Sequence, residues 1–287
     1  MAGTGSQAPE NGTLLKKEWR LPKQVHISGT SYVLEEHLGE GGFGRVYGGK
    51  RLIDGKPVAV KYVAFGRVSA WSEVDGVAIP QEVELLCRVQ GVPGVVELLD
   101  YSEVKVTGFE GFALVMEKFA DSTDVFDFIT RHQDMDEDLV RRIFKQIVQT
   151  VIDCCERGVV HLDVKDENII LDRQSLTVKL IDFGAAMELE EGEYTVYDGT
   201  QVYAPPEWFL ERRFDGKALT VWSLGVLLFN LKNGDVPFET KTQTCEGLVH
   251  WRHAASEECM DLVDGCLRRN PGERIPLEAI LGHNFFQ

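Results

Sequence analysis

His161-Leu162-Asp163-Val164-Lys165-Asp166-Glu167-Asn168 and, downstream, Leu180-Ile181-Asp182-Phe183-Gly184 are the stretches that decide how this 287-residue chain is read. Their meaning depends on two earlier pieces. Gly39-Glu40-Gly41-Gly42-Phe43-Gly44 fits the pattern GxGxxG, where a side chain would keep backbone amides from closing over phosphate oxygens. A dinucleotide-binding unit needs strand, glycine loop and then helix, whereas strand-forming Arg45-Val46-Tyr47 follows the loop here. The loop therefore reads as a hairpin lid over a nucleotide, with a bare structural turn as the alternative. Val58-Ala59-Val60-Lys61 then places a lysine at the end of an apolar strand, where burial is costly unless an anion waits for it. Glu82, in the next helical pattern, is the natural partner; a lysine standing alone would snorkel to the surface instead.

Taken in order, these four pieces closely resemble the glycine loop, the strand lysine, the HRDxxxxN loop and the DFG turn of protein kinases. The resemblance implies an α+β, two-lobed fold, with a small β-rich N-lobe carrying one main helix and a larger, mainly helical C-lobe. It also implies roles. Asp163 accepts the proton of the substrate hydroxyl and orients that oxygen, while Lys165 neutralises charge on the γ-phosphate. Asn168 and Asp182 supply hard oxygen ligands for Mg²⁺, and Glu82 holds Lys61 against the α- and β-phosphates. ATP and Mg²⁺ are thus the implied cofactors, with nucleotide contacts from Leu38, Gly39, Glu40, Gly41, Gly42, Phe43, Gly44, Val46, Ala59, Lys61, Glu82, Glu117 and Phe119. A lysine two residues after Asp163, with Gly199-Thr200 later, resembles the serine/threonine pattern rather than the tyrosine one.

Val202-Tyr203-Ala204-Pro205-Pro206-Glu207 stands where that family has APE, and Glu207 is expected to pair with Arg274 as a structural ion pair. The run from Tyr197 through Gly199-Thr200 to Trp208, together with Asp124-Val125-Phe126-Asp127-Phe128-Ile129 and Val221-Trp222-Ser223-Leu224-Gly225, is similar to the Pim kinases over about residues 32–287. Pim kinases are basophilic serine/threonine kinases that are active without an upstream activating phosphorylation. The resemblance therefore implies basic, Arg/Lys-rich protein substrates, constitutive activity, and substrate contacts from Asp124, Asp127, Asp166, Glu167 and Thr200. Three departures stand out. Leu162 replaces the HRD arginine, Phe119 and Asp121 replace hinge prolines of Pim kinases, and Thr220 stands where most kinases, Pim kinases apart, carry an aspartate beneath the catalytic loop.

With 44% hydrophobic and 26% charged residues, the composition is that of a soluble globular protein. The apolar run 221–231 is broken by Ser223, Gly225 and Asn230 and falls short of the roughly 20 residues of a membrane span, so no membrane contact is expected. The first residues lack a signal-peptide core, and Gly3 is misplaced for myristoylation, which predicts a cytoplasmic protein with the nucleus also open. A formal net charge of −16 opposes nucleic-acid binding and suits a cationic partner. Six cysteines without CxxC spacing read as buried, reduced thiols.

Residues 1–30 lack periodicity and read as a mobile tail before a kinase domain over 31–287. That domain divides into an N-lobe of about 31–117, a connector of about 117–123 and a C-lobe of about 124–287, and a monomer is expected. Strands are predicted over 32–38, 45–50, 57–63, 95–102 and 112–117, with Asp54-Gly55 as a hairpin signal and a helix near 80–89. Helical periodicity covers 136–157, 218–232, 256–267 and 276–281. Two other readings compete. A binding-only pseudokinase is opposed by the presence of Lys61, Glu82, Asp163, Lys165, Asn168 and Asp182 together; a small-molecule phosphotransferase of related fold is opposed by the Pro205-Pro206-Glu207 element, Trp208 and Arg274.

Overall fold

The computed structural model describes residues 22–106 and 108–287, so most of the stretch read as a tail, residues 1–21, lies outside them. The β-branched runs of the N-terminal part pair into a sheet. β1 (Gln24–Ile27), β2 (Thr30–Gly41), β3 (Gly44–Arg51) and β4 (Pro57–Ala64) follow one another as an antiparallel meander. A two-stranded hairpin, β5 (Trp71–Val74) and β6 (Val77–Pro80), leads into α1 (Gln81–Arg88), and β7 (Leu98–Val106) and β8 (Phe109–Glu117) complete the lobe. The six-stranded order is β1-β2-β3-β4-β8-β7, which puts β4 and its lysine in the middle. The Asp54-Gly55 turn forms as expected, with the Gly55 amide donating to the Arg51 carbonyl at 2.8 Å.

β1 corrects the expected boundary of the tail. Ser28 and Gly29, both at positive φ, close a tight hairpin that pairs Gln24 with Val33 and Ile27 with Thr30. Val25 and Ile27 are thereby buried with Tyr32, Val58, Val60 and Tyr62. A four-residue strand carries too short an alternation to be read from sequence.

After β8 the chain runs through β9 (Ser122–Asp124), α2 (Val125–Arg131) and the long α3 (Glu137–Glu156), capped by Asp136. Short strands β10 (Val159–Val160), β11 (Ile169–Asp172), β12 (Val178–Leu180), β13 (Met187–Glu188) and β14 (Glu193–Tyr194) frame the two deciding stretches. Then come α4 (Pro206–Glu211), β15 (Phe214–Asp215), α5 (Gly216–Asn233), α6 (Lys241–Glu246) and α7 (Glu257–Cys266). α5 is buried on nearly every side, as its apolar run requires, and ends at Gly234 with φ 77°. The pattern expected to be helical over 276–281 is a tighter 3₁₀ segment, Leu277–Gly282. No helix among the described residues is long and apolar enough to cross a membrane.

One large core joins Val83, Leu85 and Leu86 of α1 to Phe144 and Ile147 of α3, Phe183, and Trp222 of α5. Four cysteines lie in or beside it; burial pushes the thiols of Cys154, Cys259 and Cys266 up to about 12 and that of Cys155 to about 11. The expectation that all six are buried fails at Cys87, which lies off the buried stripe of α1 and is exposed, and at Cys245, which is half-buried.

Candidate active site

β4 enters the middle of the sheet with Lys61 paired against Val46 on one side and Leu114 on the other. Its side chain is 4% exposed, so the ammonium must be compensated. Two carboxylates do this: Nζ lies 2.5 Å from Glu82 Oε1 in the first turn of α1 and 2.7 Å from Asp182 Oδ1. Burial opposes ionisation of all three groups. At Lys61 the two carboxylates override it and hold the ammonium above its ordinary range; at Asp182 the Lys61 charge overrides it and holds the carboxyl below.

The glycine loop is the turn between β2 and β3, with Gly41 opposite Gly44. Gly44 is required by the protein itself, since at φ 145° a Cβ would sit 2.3 Å from the Tyr62 carbonyl oxygen. At Gly39, Gly41 and Gly42 a Cβ would meet nothing within 4 Å, so packing does not demand glycine there. Phe43 leans inward: a Cβ on Gly184 would come within 2.5 Å of its ring, and Lys61 Nζ is 5.7 Å from the ring centroid. Leu38 is exposed, while Val46 and Ala59 are half-buried in facing strands. In the connector, Glu117 spends its carboxylate on Lys179 at 2.8 Å and the Glu97 amide at 2.9 Å, and Phe119 is half-buried.

The two deciding stretches are brought together by a backbone bond from Ile181 N–H to the Asn168 carbonyl, 2.9 Å. Asp163, 5% exposed, has its carboxylate held on both sides. Oδ2 accepts from Asn168 Nδ2 at 2.8 Å and faces Lys165 Nζ at 3.3 Å; Oδ1 accepts from the Thr200 amide at 2.8 Å. Lys165 also donates to Thr200 Oγ1 at 2.7 Å. Because Asn168 turns its NH₂ toward Asp163, its carbonyl oxygen is the end left for a cation. Burial lowers the His161 pKa and keeps the ring neutral; Nε2 donates to the Ile181 carbonyl at 3.0 Å while Nδ1 accepts from the Asp163 amide at 3.3 Å. His161 thus locks both stretches, a role that the single-letter pattern does not reveal.

Among the residues expected to meet substrate, Asp166 is the most deeply buried. It is 5% exposed, and its oxygens accept from Tyr203 Oη at 3.1 Å and Asn230 Nδ2 at 2.7 Å, so it braces the loop from inside rather than lining a groove. Burial pushes its carboxyl up despite those donors. Asp124 is partly spent as the cap of α2, accepting from the Asp127 amide at 2.6 Å. Asp127 and Glu167 keep exposed carboxylates, in contact with Arg131 at 2.8 Å and Lys165 at 3.0 Å.

Comparison with known proteins bears on this geometry directly. The protein kinase domain family matches residues 32–286. The chain belongs to the protein kinase family. It is 41% identical over 261 residues to the serine/threonine-protein kinase pim-2 of Danio rerio, covering 88% of this chain and 83% of that one. It is also 41% identical over 257 residues to the serine/threonine-protein kinase prk-2 of Caenorhabditis elegans, covering 88% of this chain but 57% of the relative. A PAS domain-containing serine/threonine-protein kinase of Mus musculus is 35% identical over 248 residues, 85% of this chain and 18% of its own length. The Pim likeness read from the motifs agrees with these matches.

In this kinase the segment from β13 to α4 is pinned by apolar contacts. Leu162, 2% exposed, joins Val160, Tyr194, Tyr197, Trp208 and Phe214 in one cluster. Tyr194 donates its hydroxyl to the Glu188 carbonyl at 2.7 Å. Arg213 is engaged by Glu193 and Glu211, and Arg212 lies 5.1 Å from the Trp208 ring. Thr220 turns its hydroxyl back to the Gly216 carbonyl at 2.8 Å and serves its own helix.

Proposed function

We propose that this kinase transfers the γ-phosphoryl group of Mg-ATP to serine or threonine in Arg/Lys-rich protein substrates, and that it does so without phosphorylation of the segment between β13 and α4. The observation that carries this reading is the carboxylate of Asp163, fixed by Asn168, Lys165 and Thr200 beside the Lys61–Glu82–Asp182 triad. The donor set fits the nucleotide: a buried ammonium for phosphate oxygens, an open glycine cradle above it, and a carboxylate plus an amide oxygen for a hard cation. Bound Mg²⁺ supplies charge neutralisation across the phosphates.

The chain's own groups then divide the task. Asp163 orients the incoming hydroxyl and takes its proton, while Lys165, 15% exposed at its side chain, lends positive charge at the point of transfer. Asp182 and Asn168 are the residues that would hold the cation, through a carboxylate and an amide oxygen. The Ser/Thr preference draws support from the printed names of the relatives and from Thr200 beside Asp163. The preference for basic substrates draws support from the −16 charge and from exposed Asp127 and Glu167.

The test is phosphorylation of an arginine-containing Ser/Thr peptide with Mg-ATP, with Asp182→Asn as the control. Turnover that needs magnesium and disappears in the variant is the expected result. ATP binding without any turnover by the unmodified chain would favour the scaffold reading instead.

A further inference from the structure

Leu162, Tyr197 and Gly199 take no part in the chemistry just described, yet they adjoin Asp163 from two directions. Leu162 precedes Asp163 and holds the left-handed conformation, φ 60°, which costs a branched or bulky residue about 1 kcal/mol or more and persists only where the surroundings enforce it. Here the enforcing surroundings are apolar, since its side chain is sealed among Tyr197, Trp208 and Phe214. Its carbonyl meets Gly199 closely. A Cβ on Gly199 would lie 2.5 Å from that oxygen and 2.6 Å from the Tyr197 ring. Tyr197, 7% exposed, packs on Trp208 and Phe214 at 5.6 and 5.8 Å and donates its hydroxyl to the Thr200 carbonyl at 3.0 Å. The Thr200 amide in turn holds Asp163 Oδ1.

We propose that Leu162 and Tyr197 are positioning residues: by apolar packing across Gly199 they press Thr200 and Asp163 together and so fix the orientation of the Asp163 carboxylate. The proposal rests on the kinase reading above and deepens it. Where an arginine at position 162 would draw a phosphorylated segment inward by charge, Leu162 does so by removing apolar area from water, a force that needs no modification and is insensitive to screening by salt. Tyr197 supplies the complementary surface and, at the Thr200 carbonyl, a hydrogen bond that adds to the 2.9 Å one from the Tyr203 amide.

Steady-state kinetics of the full chain on the arginine peptide provide the test. Leu162→Ala and Tyr197→Ala are expected to lower kcat by about tenfold or more while the KM for ATP stays within about twofold, because the Lys61 triad lies apart from the cluster. Leu162→Met, unbranched at Cβ and of similar volume, should recover most of the rate, and Tyr197→Phe, which keeps the ring, should lose only about two- to fivefold. A kcat that does not move in the alanine variants overturns the proposal, as does a loss of kcat and ATP affinity together that Leu162→Met fails to rescue. Hydrogen exchange gives an arm independent of turnover. Faster exchange of the Thr200 amide in Leu162→Ala, with the Ile181 amide unchanged, supports the clamp, and unchanged exchange at Thr200 sinks it. Absence of turnover in the unmodified chain is a failure of the kinase reading alone and leaves the exchange result to decide the clamp.

Discussion

Arg274 meets Glu207 with two guanidinium donors, at 2.8 and 2.7 Å, in a place where both side chains are almost sealed from water. The same guanidinium reaches the Ala218 and Arg268 carbonyls and covers the Trp222 ring, so α4, α5 and the C-terminal segment converge on it. Truncating one partner would strand a charge in the interior. Arg274→Ala should therefore lower stability by about 3–5 kcal/mol in urea unfolding, whereas Arg274→Met combined with Glu207→Leu should recover a large part of the loss. If the single and double variants unfold alike, the pair is not what joins these elements.

Phe119 brings to the connector a backbone N–H that a proline lacks. The expectation is that the Glu117 carbonyl accepts from the adenine amino group and that the Phe119 amide donates to the ring. Phe119→Pro should raise the KM for ATP by about two- to tenfold, the range of one net hydrogen bond, and leave kcat nearly unchanged. An unaltered KM counts against a second connector bond.

Asp127 and Glu167 present exposed carboxylates that already touch Arg131 and Lys165, so a substrate arginine must compete with an internal cation. Solvent screening keeps each contact modest. Asp127→Asn or Glu167→Gln should reduce kcat/KM for an arginine peptide by about three- to tenfold and spare a peptide in which that arginine is alanine. Equal losses on both peptides mean that these carboxylates do not read the arginine.

Tyr194 and Tyr197 are buried, and the arginine that would receive a phosphate is replaced by Leu162. Phosphatase treatment of active enzyme should leave the rate within about threefold. A loss beyond about tenfold, or roughly 1.4 kcal/mol in the barrier, restored by rephosphorylating Tyr194, Thr195 or Tyr197, overturns the proposed constitutive activity.

Both lobes and the pairing of Lys61 with Glu82 were legible because each residue sits in a local pattern whose chemistry is incomplete without the other. The hairpin β5–β6 was missed although Asp75-Gly76, both at positive φ, carries the same turn signal as Asp54-Gly55. That Asp166 is the carboxylate pointing inward could not be read from Lys165-Asp166-Glu167 alone. Its partners, Tyr203 and Asn230, lie 37 and 64 residues away, and only the tertiary fold brings them near. Leu162 was read as the loss of a cation; the cluster that its side chain joins is assembled from four separate segments and leaves no local trace.

β1 has a consequence for handling the protein. It covers the outer edge of β2 and lays Val25 and Ile27 over Tyr32, Val58 and Tyr62. A shortened chain lacking residues 22–29 would lose two buried side chains, worth about 1.5–3 kcal/mol each, and would move the open edge of the sheet from the four-residue β1 to the twelve-residue β2, leaving a longer row of unpaired backbone groups beside a bare apolar patch. Such a rim is a template for strand addition by other molecules, so the shortened protein should be less soluble than the intact one, through self-association that starts at β2.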